Sequence, residues 1–281
     1  MDLSLSIVSF PIDEQTGSDM AQLLEHLPAE HRTVLHPSLW RADESRGFAV
    51  IAYTAEDELI GFAAAADMVG LHHYEWSLFV HPDYRRLSLG TALADGVAHA
   101  LAQRQAESEL AAFVNNSDIA AFMESLGFRP DFKEILLSAE PLPSSSLPEE
   151  FQVVPYAGEA EELTELLAKA FDDSILPILE HNMEAPEREI WLLKKDGQSF
   201  ATATLLTEEN ALWVTAFAVH PDQQGKGYGK LFLKWCRELA FKRNLEKVLL
   251  DVETENEALH VYEKSGFHKL QTISYWKRAT A

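Results

Sequence analysis

The run Val219-His220-Pro221-Asp222-Gln223-Gln224-Gly225-Lys226-Gly227-Tyr228-Gly229-Lys230 has the makings of an anion site. Pro221 ends whatever strand precedes it, because it cannot donate to a ladder. Three glycines in five residues let the chain turn tightly and bring successive N–H groups toward a ligand without side-chain interference. The spacing predicts a helix from Tyr228, so free N–H groups and the positive end of a helix dipole meet at the same loop. Lys226 and Lys230 add full charges. With Lys234, Arg237, Lys242 and Arg243 they form a basic stretch in an otherwise acidic chain, which suits a polyphosphate, although a solvated helix face has the same composition. The loop is not a Walker A loop, since no Gly-Lys-Ser/Thr follows at the required spacing.

Gln224-x-x-Gly227-x-Gly229 after a Val-x-Pro strand end resembles the pyrophosphate-binding signature of the GCN5-related N-acetyltransferase (GNAT) superfamily. Further on, Asn256-Glu257-Ala258-Leu259-His260-Val261-Tyr262-Glu263-Lys264-Ser265-Gly266-Phe267 is similar to that family's Asn-x-x-Ala-x-x-x-Tyr-x-x-x-Gly-Phe stretch. The resemblance runs from Phe151 to about Trp276 and implies acetyl-CoA as acyl donor, with no metal. It implies that backbone groups of Phe217, Ala218 and Val219 pair with the pantetheine arm. The N–H groups of Gln224, Gly225, Lys226, Gly227, Tyr228, Gly229 and Lys230 would hold the pyrophosphate, and Asn256 would contact the pantetheine portion. Tyr262 would protonate the leaving thiolate, a role typically worth about 10²–10⁴-fold. The implied reaction is direct attack of a primary amine on the thioester, with a strand N–H stabilising the oxyanion.

The base that relieves the amine of its proton is not legible. Many relatives carry a Glu on the strand that here holds Trp213 and Thr215, while Asp251, Glu253, Glu208 and Glu209 are alternatives better read as surface charge. Asp172, Asp173 and His181 fall where the family usually builds its acceptor pocket, and a polar loop has the same look. A non-catalytic acyl-CoA-binding or regulatory module is therefore the alternative reading, and transfer of a longer acyl group a third.

The elements that must position these residues follow from periodicity. Phe151–Tyr156, Glu189–Lys195, Ser199–Leu206, Ala211–Val219, Val248–Val252 and Phe267–Trp276 read as strands. Asp196-Gly197 and Glu208-Glu209-Asn210 are turns. Glu159–Phe171, Tyr228–Asn244 and Glu257–Lys264 have helical spacing, and Gly266 stands where a helix end needs positive φ. The order is α/β, a mixed sheet with helices on its faces.

The pattern occurs twice. Val80-His81-Pro82-Asp83 answers to Val219-His220-Pro221-Asp222 at an offset of 220 − 81 = 139, which carries through to Gly90 and Gly229 and to Gly127 and Gly266. The expected organisation is two tandem GNAT-like domains, each a mixed central β-sheet flanked by helices: 1–140, a linker at 141–150 rich in Pro and Ser, and 151–281. The first copy is degenerate. Ser88 replaces the first signature glycine, Met123 stands where the second copy has Tyr262, and the helix Thr91–Ala106 holds only Arg104 as a basic residue. It is expected to be catalytically silent, with weak cofactor binding at Arg85 and Arg86 left open.

With 281 residues, 47% of them hydrophobic, and a formal charge of −22, the chain can bury large cores and is ill suited to nucleic acid or anionic membranes. The N-terminus lacks the pattern of a secretory signal, and no apolar run is long enough to span a bilayer. A single cysteine, Cys236, excludes an intrachain disulfide and reads as a buried small hydrophobe. His72-His73 lacks a third ligand at metal spacing and reads as a strand entry. A cytoplasmic enzyme is expected.

Overall fold

The computed structural model describes residues 3–27, 33–67, 70–158, 160–170, 179, 182–183, 185–254 and 259–279. It divides into two compact units, Met1–Lys133 with Gln271–Ala281, and Glu134–Leu270. Both are mixed α/β.

The first unit contains β1 (Leu3–Ser9), α1 (Glu14–Leu24), α2 (Ser38–Arg41), β2 (Gly47–Thr54), β3 (Leu59–Asp67), β4 (His73–Val80), α3 (Leu89–Gln103), β5 (Ser108–Val114) and α4 (Ser117–Ser125). The strands run in the order β1-β2-β3-β4-β5, antiparallel except for the parallel β4–β5 pair. Alternation along the strands sends side chains to two cores. Phe48, Val50, Trp76, Leu93, Val97 and Met123 pack on the α3 face, and Met20, Leu23, Trp40, Ile51, Phe62 and Phe79 on the α1 face. Burying one such large apolar side chain contributes about 1.5–3 kcal/mol. Helix α1 starts where the Asp13 carboxylate accepts the Thr16 N–H at 3.0 Å, the usual remedy for an orphan donor.

The second unit repeats the layout with β7 (Phe151–Pro155), α5 (Ala160–Ala170), β8 (Arg188–Lys195), β9 (Gln198–Glu208), β10 (Ala211–Val219), α6 (Tyr228–Lys242), β11 (Lys247–Glu253) and α7 (Leu259–Lys264). The order is β11-β10-β9-β8-β7, again antiparallel except for β10–β11. Leu163, Leu166 and Leu167 of α5 pack against one face, and Phe232, Leu233, Cys236 and Ala240 of α6 against the other. The repeat is kept residue for residue across the central helix, because 89 + 139 = 228 and 103 + 139 = 242 match both ends of α3 and α6.

The compact units are not the linear segments 1–140 and 151–281. The C-terminal part of each copy's last strand, Glu134–Ala139 of β6 and Gln271–Arg278 of β12, lies with the other copy's unit. β6 (Phe128–Ala139) pairs with β11 from Val248↔Ala139 to Glu253↔Glu134, and β12 (His268–Arg278) pairs with β5 from Ile273↔Val114 to Trp276↔Ala111. Strand pairing is non-local, so the Pro/Ser composition at 141–150 marks the repeat boundary but not the packing boundary. Nor does that segment behave as a solvated linker. The Leu142 N–H donates to the Arg237 carbonyl at 3.0 Å, and the Ser145 N–H to Glu238 Oε2 at 2.7 Å. Lys242, followed by this Ser145 contact, holds the Glu238 carboxyl down at about 2.

Candidate functional site

Strand β10 feeds the glycine loop. His220 Nδ1 accepts the Asp222 N–H at 3.2 Å, and Pro221–Gln223 form one 3₁₀ turn. Gln224 then reaches back, its Nε2 donating to the Val219 carbonyl at 3.1 Å. Gly225 and Gly227 take φ of +74° and +85°, and a Cβ added at either would meet nothing within 4 Å. Gly227 precedes α6 without a side-chain cap, and the first helical bond runs from Leu231 N–H to the Gly227 carbonyl at 3.1 Å. The N–H groups of Tyr228, Gly229 and Lys230 therefore have no carbonyl within the helix. Free N–H groups at a helix start are the polarity that an anion needs.

The structure separates residues that the motif had grouped. Gly229 has a packing reason, since its Cβ would stand 3.3 Å from Val219 and 3.4 Å from Phe217. Tyr228 stacks on Phe200 and tilts against Phe151. Lys226 bonds its own loop, donating to the Asp222 carbonyl and to Gln223 Oε1 at 2.9 Å each. Half of the basic stretch is likewise engaged. Arg237 donates to the carbonyls of Glu140 and Ser265, Lys242 pairs with Glu238, and Arg243 makes a bidentate pair with Glu189 at 2.7 Å. Lys230 is exposed at the start of α6.

The residue that sequence reasoning missed is Ala216. Between Thr215↔Thr204 and Ala218↔Thr202 the β9–β10 register slips, and Ala216 sits at φ +45°. Two residues of β10, Ala216 and Phe217, face one residue of β9 there, which is a β-bulge. The parallel ladder to β11 covers only Ala211–Trp213. Beyond it β10 leaves its β11 neighbour, and an extended ligand can add to the freed edge as a strand would. Ala at a bulge has no signature in sequence, so only the three-dimensional register reveals it.

Tyr262 on α7 completes the site. Its ring lies 6.1 Å from that of Phe217 on the bulged segment and 6.4 Å from Phe267. Burial alone pushes the phenol up to about 12, so it is protonated at any physiological pH. Val261 faces Gly229 from the same helix. Loop, bulged strand and phenol thus converge on one place. Asn256, Asp172, Asp173 and His181 lie outside the described residues. Asp251 and Glu253 are exposed on β11, and Glu209 and Asn210 make the left-handed turn after β9. Cys236 is fully buried, which raises its thiol well above the usual range. His72 turns the chain at φ +61° and His73 opens β4. Among the described residues no group of three or more His, Cys, Asp or Glu is placed to hold a metal, and no helix is long and apolar enough to cross a membrane.

The first unit carries the same loop in another setting. His81 Nδ1 accepts the Asp83 N–H at 3.2 Å, and Arg85 Nε donates to the Val80 carbonyl at 3.1 Å, as Gln224 does for Val219. Arg86 and Ser88 hold φ of +64° and +62°, matching Gly225 and Gly227. Side-chain-bearing residues resist this conformation, yet the turn keeps its path. What differs is the strand. The β3–β4 register is unbroken from Gly61↔Val80 to Asp67↔Tyr74, with no bulge. Ser77, the counterpart of Ala216, is fully buried, and so is Met123 in the place of Tyr262.

A bulged strand, a glycine loop leading into a helix and a buried phenol thus stand together on one side of a mixed sheet. The acetyltransferase (GNAT) family matches residues 17–128 and again 156–267, and the chain belongs to that family. Mycothiol acetyltransferase of Rhodococcus jostii is 25% identical over 99% of this chain and 100% of its own length. Among solved structures, a GCN5-related N-acetyltransferase from Sphaerobacter thermophilus superposes with a TM-score of 0.74 at 18% identity, covering 98% of this chain and 97% of its own. A tandem GNAT protein from the clavulanic acid biosynthesis pathway gives 0.71 at 14% identity over 99% and 100%. Both structures share the tandem fold.

Proposed function

We propose that the second unit binds acetyl-CoA and transfers its acetyl group to a primary amine, while the first unit is catalytically silent. The observation that carries this reading is the buried, protonated Tyr262 beside Phe217 of the bulged strand. Acetyl-CoA supplies an activated acyl thioester. Gly225, Gly227 and the N–H groups at the start of α6 would hold its pyrophosphate, and the freed edge of β10 at Phe217, Ala218 and Val219 would hold its extended arm. The Tyr262 phenol keeps its proton until a stronger base, a thiolate, is presented to it. The bulge leaves backbone N–H groups of β10 without ladder partners, where they can stabilise developing negative charge on an acyl oxygen. The full-length relative's name also describes acetyl transfer.

Calorimetry with acetyl-CoA tests the cofactor half of the reading. One site per chain, weakened about 10- to 100-fold on Gly225→Arg with Gly227→Ser, is the expected result. These positions are better targets than Gly229, whose replacement would disturb packing against Val219. A panel of amines then tests the chemistry. Turnover that Tyr262→Phe abolishes supports the transferase, whereas binding without turnover supports a carrier or regulatory module.

A further inference from the structure

The outer strands of the two units are built differently. β7 has five residues, ends in Pro155 and exposes no large apolar side chain. β1 has seven residues, Leu3-Ser4-Leu5-Ser6-Ile7-Val8-Ser9, without a proline, a glycine or a charge, and Ser4 to Ile7 are all exposed. Leu5 and Ile7 are 47% and 39% accessible. Natural edge strands are normally blunted by proline, charge or brevity; β7 is blunted and β1 is not.

The register gives the direction of its free groups. The Phe10 N–H donates to the Gly47 carbonyl, and Leu3 to Ser9 pair in order with Thr54 to Phe48. Antiparallel strands alternate inward and outward. Ser4, Ser6 and Val8 therefore bond to β2, while Leu3, Leu5, Ile7 and Ser9 point their N–H and C=O groups away from the sheet. Among the described residues, no other backbone group bonds to that edge. Leu5 and Ile7 lie opposite Ala52 and Val50, so they continue the apolar layer beneath α3.

We propose that β1 is a homodimer interface, in which β1 of a second copy adds antiparallel to this edge about a two-fold axis through Ser6. The strand is its own complement in that register. Leu5 faces Ile7 of the other copy, Ile7 faces Leu5, and Leu3 faces Ser9, each pair being one whose backbone groups point outward. The pairing is isologous and closes on itself. The chain carries −22, so a charge-free strand is the element on which two copies can meet without opposing carboxylates. The repulsion between the bodies is screened by salt, and the dimer strengthens as ionic strength rises. One strand pair is small beside a standard interface, so the expected Kd is on the order of 10 µM.

Sedimentation of the full chain across a concentration series, at low and high salt, reads the dimer. Leu5→Pro removes an outward N–H without touching the β2 ladder, and it is expected to weaken dimerisation at least about tenfold with the melting temperature preserved. Leu5→Lys with Ile7→Lys, which sets like charges opposite one another, is a second variant should the proline unfold the edge. Ser6→Cys adds the specific readout. On the axis the two Ser6 residues form a non-hydrogen-bonded pair at about 4.5 Å between Cα atoms, within disulfide reach, and the native Cys236 is buried. Rapid oxidative cross-linking of Ser6→Cys is the expected result. A wild type that stays monomeric at several hundred micromolar in high salt overturns the proposal. So does a dimer that survives both edge variants and leaves Ser6→Cys uncross-linked.

Discussion

The loop after β4 and the loop after β10 turn at the same places, Arg86 and Ser88 in one standing where Gly225 and Gly227 stand in the other. Arg85 and Gln224 anchor them identically, to the last carbonyl of the strand. Left-handed backbone at two side-chain-bearing residues costs about 1 kcal/mol or more each, and it persists only where the surroundings impose it. The strand–loop–helix scaffold therefore dictates the turn, and glycine serves the ligand more than the fold. What separates the two copies lies next to the loop. Both strands leave their parallel neighbours partway, after Trp213 and after Trp76; but β10 is bulged with a phenol beside it, whereas β4 keeps its register with β3, and Met123 and Ser77 are the buried counterparts of Tyr262 and Ala216.

The comparison is broken hardest at the phenol. Tyr262→Phe keeps the ring contacts with Phe217 and Phe267 and removes only the proton, so kcat is expected to fall by about 10²–10⁴-fold with acetyl-CoA affinity retained. Steady-state kinetics alongside calorimetry separates the two. Writing the first loop into the second, as Gly225→Arg with Gly227→Ser, should leave the melting temperature nearly unchanged and weaken acetyl-CoA by about 10- to 100-fold, or about 1.4–2.8 kcal/mol. An unchanged Kd would show that the loop's side chains do not distinguish the copies.

A titration sharpens the same contrast. The Tyr262 phenol is raised from 10 to about 12 in the folded protein. Its contribution to stability is thus complete below pH 10 and is lost as pH rises through 12, by about 2–3 kcal/mol. Urea melts of wild type should lose that much more than Tyr262→Phe between those limits, with no difference between them from this source at pH 6–9. The smallest effect belongs to the reverse exchange. Arg86→Gly with Ser88→Gly relieves backbone strain but adds unfolded-state freedom, and the two nearly cancel, within about 1 kcal/mol. Acetyl-CoA stoichiometry should stay at one per chain. A rise to two would make the loop, and not the bulge, the deciding feature.

Much of this architecture is legible in the residues because it is local. Tyr228–Lys242 differs from the expected helix only by its last two residues, and the strands from Arg188 to Val219 fall within a residue or two of where alternation puts them. Loop and tyrosine were visible as motifs for the same reason. The bulge was not, since alanine at position 216 is unremarkable until a neighbouring strand sets the register. The exchange of last strands was hidden because β6 and β12 look alike and nothing in either names its partner. Arg237 and Arg243 read as phosphate charges because their acceptors, Glu140, Ser265 and Glu189, are remote in sequence.

That exchange sets an order of assembly during synthesis. The second unit, Glu134–Leu270, is one continuous stretch, whereas the first needs Gln271–Ala281 to finish. From Lys133 to Gln271 the ribosome adds 271 − 133 = 138 residues, about 7–28 s of translation. Through that interval β5 waits with one edge unclaimed, so the half that is made first is the half that closes last. A stop codon a dozen residues early would spare every residue of the proposed acetyl-CoA site and still leave the first unit unfinished.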